Sequence, residues 1–341
     1  MTADRLSHAF PDPALARVVD DAFGLVGATP LVRVNVLTEG FDAEVWVKLD
    51  HHNLGGSSKD RIGVNIVREA IAAGDLKPGD RIIDFGAGNT AIGYALAGIA
   101  TGHPVTAVVG PDIAPQKVAL LKLLGVDIIP GRPDVERDDP EHWAVIAQRY
   151  EDEDPSTWWA RQESTSPNPA AHVLSTGPEI WHQTDGRVTH FVAALATGGT
   201  ASGTGRYLKG RNPAVQVIGT AFAETPNGKG ENNLARYVAG EKDLEKDWTA
   251  NVDGDVLDRF EARRKADVID FGWHVARTEG LVLGLSSVLS LRVALDAAAS
   301  APAGSVFVVF SADSGRDYLA REYDADWLRA NDLGHIADRY A

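Results

Sequence analysis

The chain predicts an α/β protein built from two mostly parallel sheets, each flanked by helices. Three observations carry that expectation. Short apolar stretches of strand length alternate with stretches of helical period over residues 44–129, which is the pattern of βαβ units. The alternation pauses in a polar, acidic segment at 130–155 and resumes at Thr189. Glycine-rich turns follow three of the apolar stretches, at the ends of strands where parallel sheets bind ligands.

The elements follow in order. Residues 1 to about 24 read as an arm, because Pro11, Pro13 and the Asp20-Asp21 pair interrupt its apolar residues. Residues 44–49 read as a strand. Ile62, Ile66, Val67 and Ala70 recur at helical spacing, so 61–73 reads as a helix. A strand at 81–85, a helix at 90–100 and a strand at 105–109 follow, then a helix at 115–124 and a strand at 126–129. Residues 143–150 read as a helix in the acidic segment. Further on, 189–195, 215–221 and 306–310 read as strands and 203–209 as a helix. Residues 225–258 show no period and read as a long loop with short helices.

The chain carries 33 Lys and Arg against 48 Asp and Glu, a formal charge of −15. That sign argues against nucleic acid or an anionic membrane as the main partner. Apolar residues make up 44% and charged residues 24%, the balance of a globular, enzyme-sized protein. Cysteine is absent, which excludes disulfides and thiolate metal sites, and no metal site is expected. No charged-then-apolar leader opens the sequence, and no apolar run is long enough for a bilayer. The expected location is the cytoplasm.

The stretch Asn53-Leu54-Gly55-Gly56-Ser57-Ser58-Lys59-Asp60-Arg61 places one lysine between small residues and a helix start. The positive end of the helix and partial desolvation both disfavour the ammonium form there. A free amine is what a Schiff base to an aldehyde cofactor requires. The competing reading is a solvated loop lysine.

Three turns have ligand-binding character. Gly86-Ala87-Gly88-Asn89-Thr90-Ala91 joins a strand to a helix and fits the permissive dinucleotide pattern, with Asp112 after the next strand. Its Asn89 either caps the helix or bonds a ligand oxygen. Thr197-Gly198-Gly199-Thr200 follows a second strand and makes a compact anion cup, though no lysine closes it as in a P-loop. A monophosphate suits it better than a triphosphate. In Ala312-Asp313-Ser314-Gly315, Ser314 either caps a helix or faces a pyridine nitrogen, and the adjacent Asp313 competes for the second role.

Together these motifs resemble the cysteine synthase and cystathionine β-synthase family, pyridoxal-phosphate enzymes of fold type II. Gly27-Ala28-Thr29-Pro30-Leu31 is similar to the family's opening motif, and 53–61 to its lysine motif with Leu54 in place of proline. The resemblance implies a tryptophan synthase β-like fold. It implies a larger cofactor-binding domain of residues 1–46 and 164–341, and a smaller mobile substrate domain of 47–163. Lys59 would carry pyridoxal 5'-phosphate, with Asn89 at its 3' oxygen, Thr197 to Thr200 at its phosphate and Ser314 at its ring nitrogen. Gly86, Ala87, Gly88, Thr90 and Gln162 would meet the substrate. Two hydroxyl residues usual in the family's substrate loop are replaced by Gly86 and Ala87.

The implied reaction is β-replacement on an O-activated serine-like amino acid through an aminoacrylate, with a small nucleophile, in amino-acid biosynthesis and in a homodimer. Two alternatives stand beside it. One is an eliminating enzyme, a dehydratase or desulfhydrase. The other is a catalytically silent binding or scaffold protein of the same fold. An NAD oxidoreductase is a weaker option resting on the Gly86 turn alone.

Overall fold

The computed structural model describes residues 17–86, 88–225, 233–244, 246 and 248–340. The first half runs β1 (Leu31–Arg33), β2 (Glu44–Leu49), α1 (Lys59–Ala73), β3 (Arg81–Gly86), α2 (Asn89–Thr101), β4 (Val105–Val109), α3 (Pro115–Leu123), β5 (Asp127–Pro130), α4 (Trp143–Glu153) and β6 (Thr157–Trp159). The second half runs α5 (Pro167–Leu174), α6 (Thr176–Gln183), β7 (His190–Ala194), α7 (Gly199–Arg211), β8 (Gln216–Phe222), α8 (Asn233–Val238), β9 (Arg259–Arg263), α9 (Lys265–Glu279), α10 (Leu285–Ala298), β10 (Val306–Ser311), α11 (Ala325–Ala330) and α12 (Gly334–Tyr340).

Two sheets form, as the alternation predicts. One has four strands in the order β5-β4-β3-β6, all parallel. The other has six in the order β1-β2-β10-β7-β8-β9, parallel except for β1 against β2. Every residue of β4 and β10 is buried, because helices cover both faces of a parallel sheet. The four-stranded sheet packs with α1 and α2 around Ile62, Ile66, Ile82, Tyr94 and Leu121. The six-stranded sheet has one core on each face, around Val47, Leu289 and Val309 on one and Phe191, Val217 and Phe310 on the other.

The crossing of α1 and α2 sets the position of Lys59. A Cβ on Gly63 would lie 2.5 Å from the Gly93 carbonyl carbon, and one on Gly93 would lie 2.5 Å from the Lys59 carbonyl oxygen. No larger residue permits that approach. The two glycines therefore bring the start of α1 directly onto α2.

Several elements differ from the sequence expectation. Helix α1 begins at Lys59, two residues early, so the lysine is the first helical residue rather than a loop residue. The expected domain boundary between residues 46 and 47 falls inside β2, whose six residues pair with β10 without a break. The segment 225–258, expected as a long loop with short helices, does carry one short helix, α8, and its residues 226–232, 245 and 247 lie outside the described residues. Helices α9 and α10 and strands β6 and β9 were not expected. Among the described residues, no helix is long and apolar enough to cross a membrane.

Candidate active site

Lys59 opens α1 with no side-chain cap from Ser58; its N–H donates instead to Ser57 Oγ at 3.2 Å. Two contacts tie the loop before it to the far end of the chain. Ser58 N donates to the Ala312 carbonyl at 2.8 Å, and Ser57 bridges Asp313. The Lys59 amine makes no hydrogen bond or ion pair with any described residue. Burial pushes its pKa down, against the charges of Asp313 and Asp50 and with that of Lys117. Lys48 is a useful contrast. It is fully buried, but its amine is spent on Glu179 at 2.6 Å, the Thr29 carbonyl at 2.6 Å and Gln183 at 2.9 Å.

Asn89 is the first residue of α2, and its side chain makes no capping bond. Its amide donates instead to Asp313 Oδ2 at 3.0 Å, which the Tyr318 hydroxyl also bonds at 3.1 Å. Asp313 Oδ1 is buried without a partner, and a Cβ on Gly284 would lie 1.9 Å from it. Burial raises the Asp313 pKa against the nearby Lys117 charge. Ser314 accepts from Arg316 N at 3.2 Å and so caps the short 3-10 turn at Gly315–Tyr318. Its hydroxyl proton remains free to donate. Asn89, Ser314, Lys117, His51 and Gly56 line one cavity of about 710 Å³.

The turn at Thr197 to Thr200 runs from strand β7 into helix α7. Gly198 has φ +87°, and α7 starts at Gly199 with no side-chain cap. A Cβ on Gly198 would strike Val252 Cγ2 at 2.2 Å. Thr197 Oγ1 accepts from Asn168 Nδ2 at 3.2 Å, and Thr200 Oγ1 contacts His172 Nε2 at 3.1 Å. His172 is fully buried, and burial pushes its pKa down to about 3, so it is neutral. Asn65 of α1 donates to the Pro167 carbonyl at 2.7 Å, and Asn168 donates to Thr197, so α5 joins the helix that Lys59 opens to this turn.

Gln162 is held from every side. Its amide donates to the Phe85 carbonyl at 2.7 Å and accepts from Thr90 Oγ1 at 2.8 Å. Its carbonyl accepts from Asn168 Nδ2 and Asn251 Nδ2, both at 2.7 Å, and its N–H donates to Asp84 Oδ2 at 3.0 Å. Asp84 also takes bonds from Tyr94, Trp159 and Phe85 N. Burial still pushes its pKa up to about 6. A Cβ on Gly86 would lie 3.1 Å from Gln162 Nε2, so Gln162 fills the space beside that small residue. Ala87 lies outside the described residues. Gly88 precedes α2 with φ +108°.

Asn168, His172, Asp84 and Asp313 support the expected residues and were not anticipated as such. The signal for Asp84 was present, since a lone carboxylate in Ile82-Ile83-Asp84-Phe85 must be bonded inside an apolar strand. Among the described residues, no cluster of three or more His, Asp or Glu is arranged to hold a metal.

A family model described as pyridoxal-phosphate dependent enzyme matches residues 22–312. The chain belongs to that family. This pyridoxal-phosphate enzyme is 34% identical over 313 residues to the cysteine synthase of Aquifex aeolicus (strain VF5), covering 89% of this chain and 91% of the relative. It is 33% identical over 329 residues to the cystathionine beta-synthase of Rattus norvegicus, covering 94% of this chain. The matched region is 58% of that relative, so the chain spans well under two thirds of its length. The solved O-acetyl serine sulfhydrylase isoform 3 of Entamoeba histolytica superposes with a TM-score of 0.81 at 26% identity, covering 97% of this chain and 98% of that one. The cofactor of the family is pyridoxal phosphate. The residues present fit it: an unpaired amine at Lys59 whose pKa burial lowers, an uncapped helix start at Gly199 flanked by two threonine hydroxyls, and a serine hydroxyl with a proton to give.

Proposed function

We propose that this chain catalyses β-replacement on an O-activated serine-like amino acid, with Lys59 as its catalytic residue. The observation that carries the proposal is an unpartnered Lys59 amine opening a helix that α5 ties to the uncapped turn at Thr197 to Thr200. Lys59 would hold the cofactor, and Thr197 to Thr200 would hold its phosphate with the N–H groups of α7 and two hydroxyls. Asn89, braced by Asp313, would bond its 3' oxygen, and Ser314 its ring nitrogen. Asp313 spends Oδ2 on Asn89 and Tyr318 and holds Oδ1 against Gly284, while Ser314 lines the cavity, which favours Ser314 for the ring. The bound cofactor supplies an electron sink for the carbanion at the substrate's α carbon.

The chain's own residues would do the rest. The start of α2 at Gly88 and Asn89 offers N–H groups to the substrate carboxylate, with Thr90 and Gln162 behind them. Lys59 Nζ, once freed, would take the proton from the α carbon and later return it. The four-stranded unit that carries α2 would close on the larger sheet and exclude water.

The test is a product panel. Holoenzyme is mixed with O-acetylserine, O-phosphoserine or serine, with and without sulfide or a thiol, and products are read by mass. A new β-substituted amino acid supports the proposal. Pyruvate without a substituted product assigns elimination instead. No product from any donor, with the cofactor absent from purified protein, points to a silent protein of this fold.

A further inference from the structure

The loop that opens α2 carries no cation of its own to meet a substrate carboxylate. Gly86 has no side chain and Ala87 only a methyl. The Thr90 hydroxyl donates to Gln162 Oε1 at 2.8 Å, and the Gln162 amide donates to the Phe85 carbonyl at 2.7 Å. The Asn89 amide is turned to Asp313. The uncapped N–H groups of the helix start remain, and they offer only a partial positive charge.

One full cation rests on that loop. Lys117 comes from α3, and a Cβ on Gly88 would lie 3.0 Å from its Cδ and 3.4 Å from its Cβ. The lysine stem therefore lies over the residue that precedes α2. Its side chain is 12% exposed and lines the cavity shared with Asn89 and Ser314. Its charge is felt by both Lys59 and Asp313. Arg316 lines the same cavity but is exposed to solvent.

Lys117 already holds a carboxylate. Its ammonium pairs with Asp317 Oδ2 at 3.2 Å, from α3 to the turn after β10. Gln116 donates to the Asp317 carbonyl at 2.9 Å, which keeps that turn alongside. Asp317 is 31% exposed, so water can replace the lysine at its carboxylate, and such pairs are weak. The lysine is far less hydrated and gains more from a carboxylate brought to it.

We propose that Lys117 is a specificity-determining residue, which binds the α-carboxylate of the donor amino acid and releases Asp317 as the substrate enters. The inference rests on the β-replacement reading and deepens it. The carboxylate lies between the N–H groups of α2 and the ammonium, with charge-assisted bonds on both sides. Asp317 is an internal competitor that keeps the ammonium in place until then. Ligands without a carboxylate gain nothing from Lys117, so the pair sets a preference for free amino acids over their amides and esters.

Calorimetry on the holoenzyme with L-serine and L-serinamide tests this, because the two differ only at the carboxyl group. Wild type should prefer L-serine. K117M should weaken L-serine about tenfold, the scale of one charge-assisted bond, and leave L-serinamide within about twofold. K117R should recover much of the loss. D317N should tighten L-serine by about two- to fivefold, the worth of one half-exposed ion pair, and leave L-serinamide unchanged. A serine-to-serinamide ratio unchanged in K117M would overturn the proposal. So would equal losses of L-serine binding in K117M and D317N, which would make the pair a structural clasp between the two sheets. The product panel judges the β-replacement reading separately. If no donor yields product, that reading fails, and the calorimetric ratio still decides whether Lys117 binds a carboxylate.

Discussion

Replacing Arg61 with methionine isolates the ionic centre behind Lys59. The Arg61 guanidinium forks onto Asp50, with Nε at 2.7 Å and Nη2 at 2.8 Å, and onto Glu179, with Nη1 at 2.6 Å and Nη2 at 2.9 Å. Thr29 joins both, through its hydroxyl to Asp50 at 2.7 Å and its N–H to Glu179 at 3.2 Å. Asp50 has no exposed surface. Removing the guanidinium leaves that carboxylate with Thr29 and the more distant Lys48. Breaking a buried pair on one side costs about 3–5 kcal/mol. With an unfolding entropy of about 2.1 cal/mol/K per residue over 341 residues, the melting temperature should drop by roughly 4–7 °C. Removing the stranded charge as well, in R61M/D50N, should recover part of the loss. The acid limb gives a second readout. Arg61, against the cost of burial, holds the Glu179 pKa down to about 2. That stability is present above about pH 4.5 and lost as pH falls toward 2. Thermal melts at pH 7 and pH 3 measure both effects. An R61M variant that melts within about 1 °C of wild type, or a double variant no better than the single, would refute the reasoning.

Four further outcomes are expected. Lys59→Ala should abolish the visible band of the lysine-bound cofactor and its fixation by borohydride, and a reducible adduct on another lysine would contradict the assignment. Gly198→Val places side-chain atoms against Val252 at a left-handed φ, so dialysis should show cofactor affinity at least tenfold weaker. Asp84→Asn sets an amide N–H₂ among four donors, and denaturant titration should show a loss of about 2–3 kcal/mol with a raised KM for the donor amino acid. Asp60 is buried, and burial raises its pKa to about 7. The folded chain therefore keeps a proton that the unfolded chain releases near pH 4, and stability falls as pH rises from about 4 through 7, by at most ~1.4 kcal/mol per unit. Asp60→Asn should flatten that slope in urea midpoints taken at pH 5 and pH 8.

Residues with a local signature could be read directly. The alternation of apolar segments specifies β2 to β5 and the helices between them, and the glycine turns point to Gly198 and Asn89. What escaped was set by partners far along the chain. Strand β9, Arg-Phe-Glu-Ala-Arg, alternates polar and apolar residues but is short and carries one large apolar side chain; it forms where Ile218 to Phe222 offers it a parallel edge. Whether Asn89 caps its helix or turns away depends on Asp313, distant in sequence. The same holds for Ser314, whose capping bond and free proton are both real and are separated only by geometry. Thr29 and Arg61 stood in recognisable motifs, but their meeting with Asp50 and Glu179 in one ionic centre was not deducible from spacing.

The position of β10 has a consequence for biosynthesis. Among the described residues it is the last strand in chain order, yet it lies between β2 and β7 and leads into Ala312, whose carbonyl anchors the loop before Lys59. The four-stranded unit is complete in sequence by Trp159 and can condense while the ribosome is still working. The larger sheet cannot. Until Val306–Ser311 emerges, β2 and β7 are two open edges with unpaired backbone groups. A nascent or prematurely terminated chain thus exposes sticky strands and a lysine without its final anchor. Capture of a cofactor by Lys59 would then wait until synthesis has passed Ala312, and products shortened before it present open edges to proteases and chaperones.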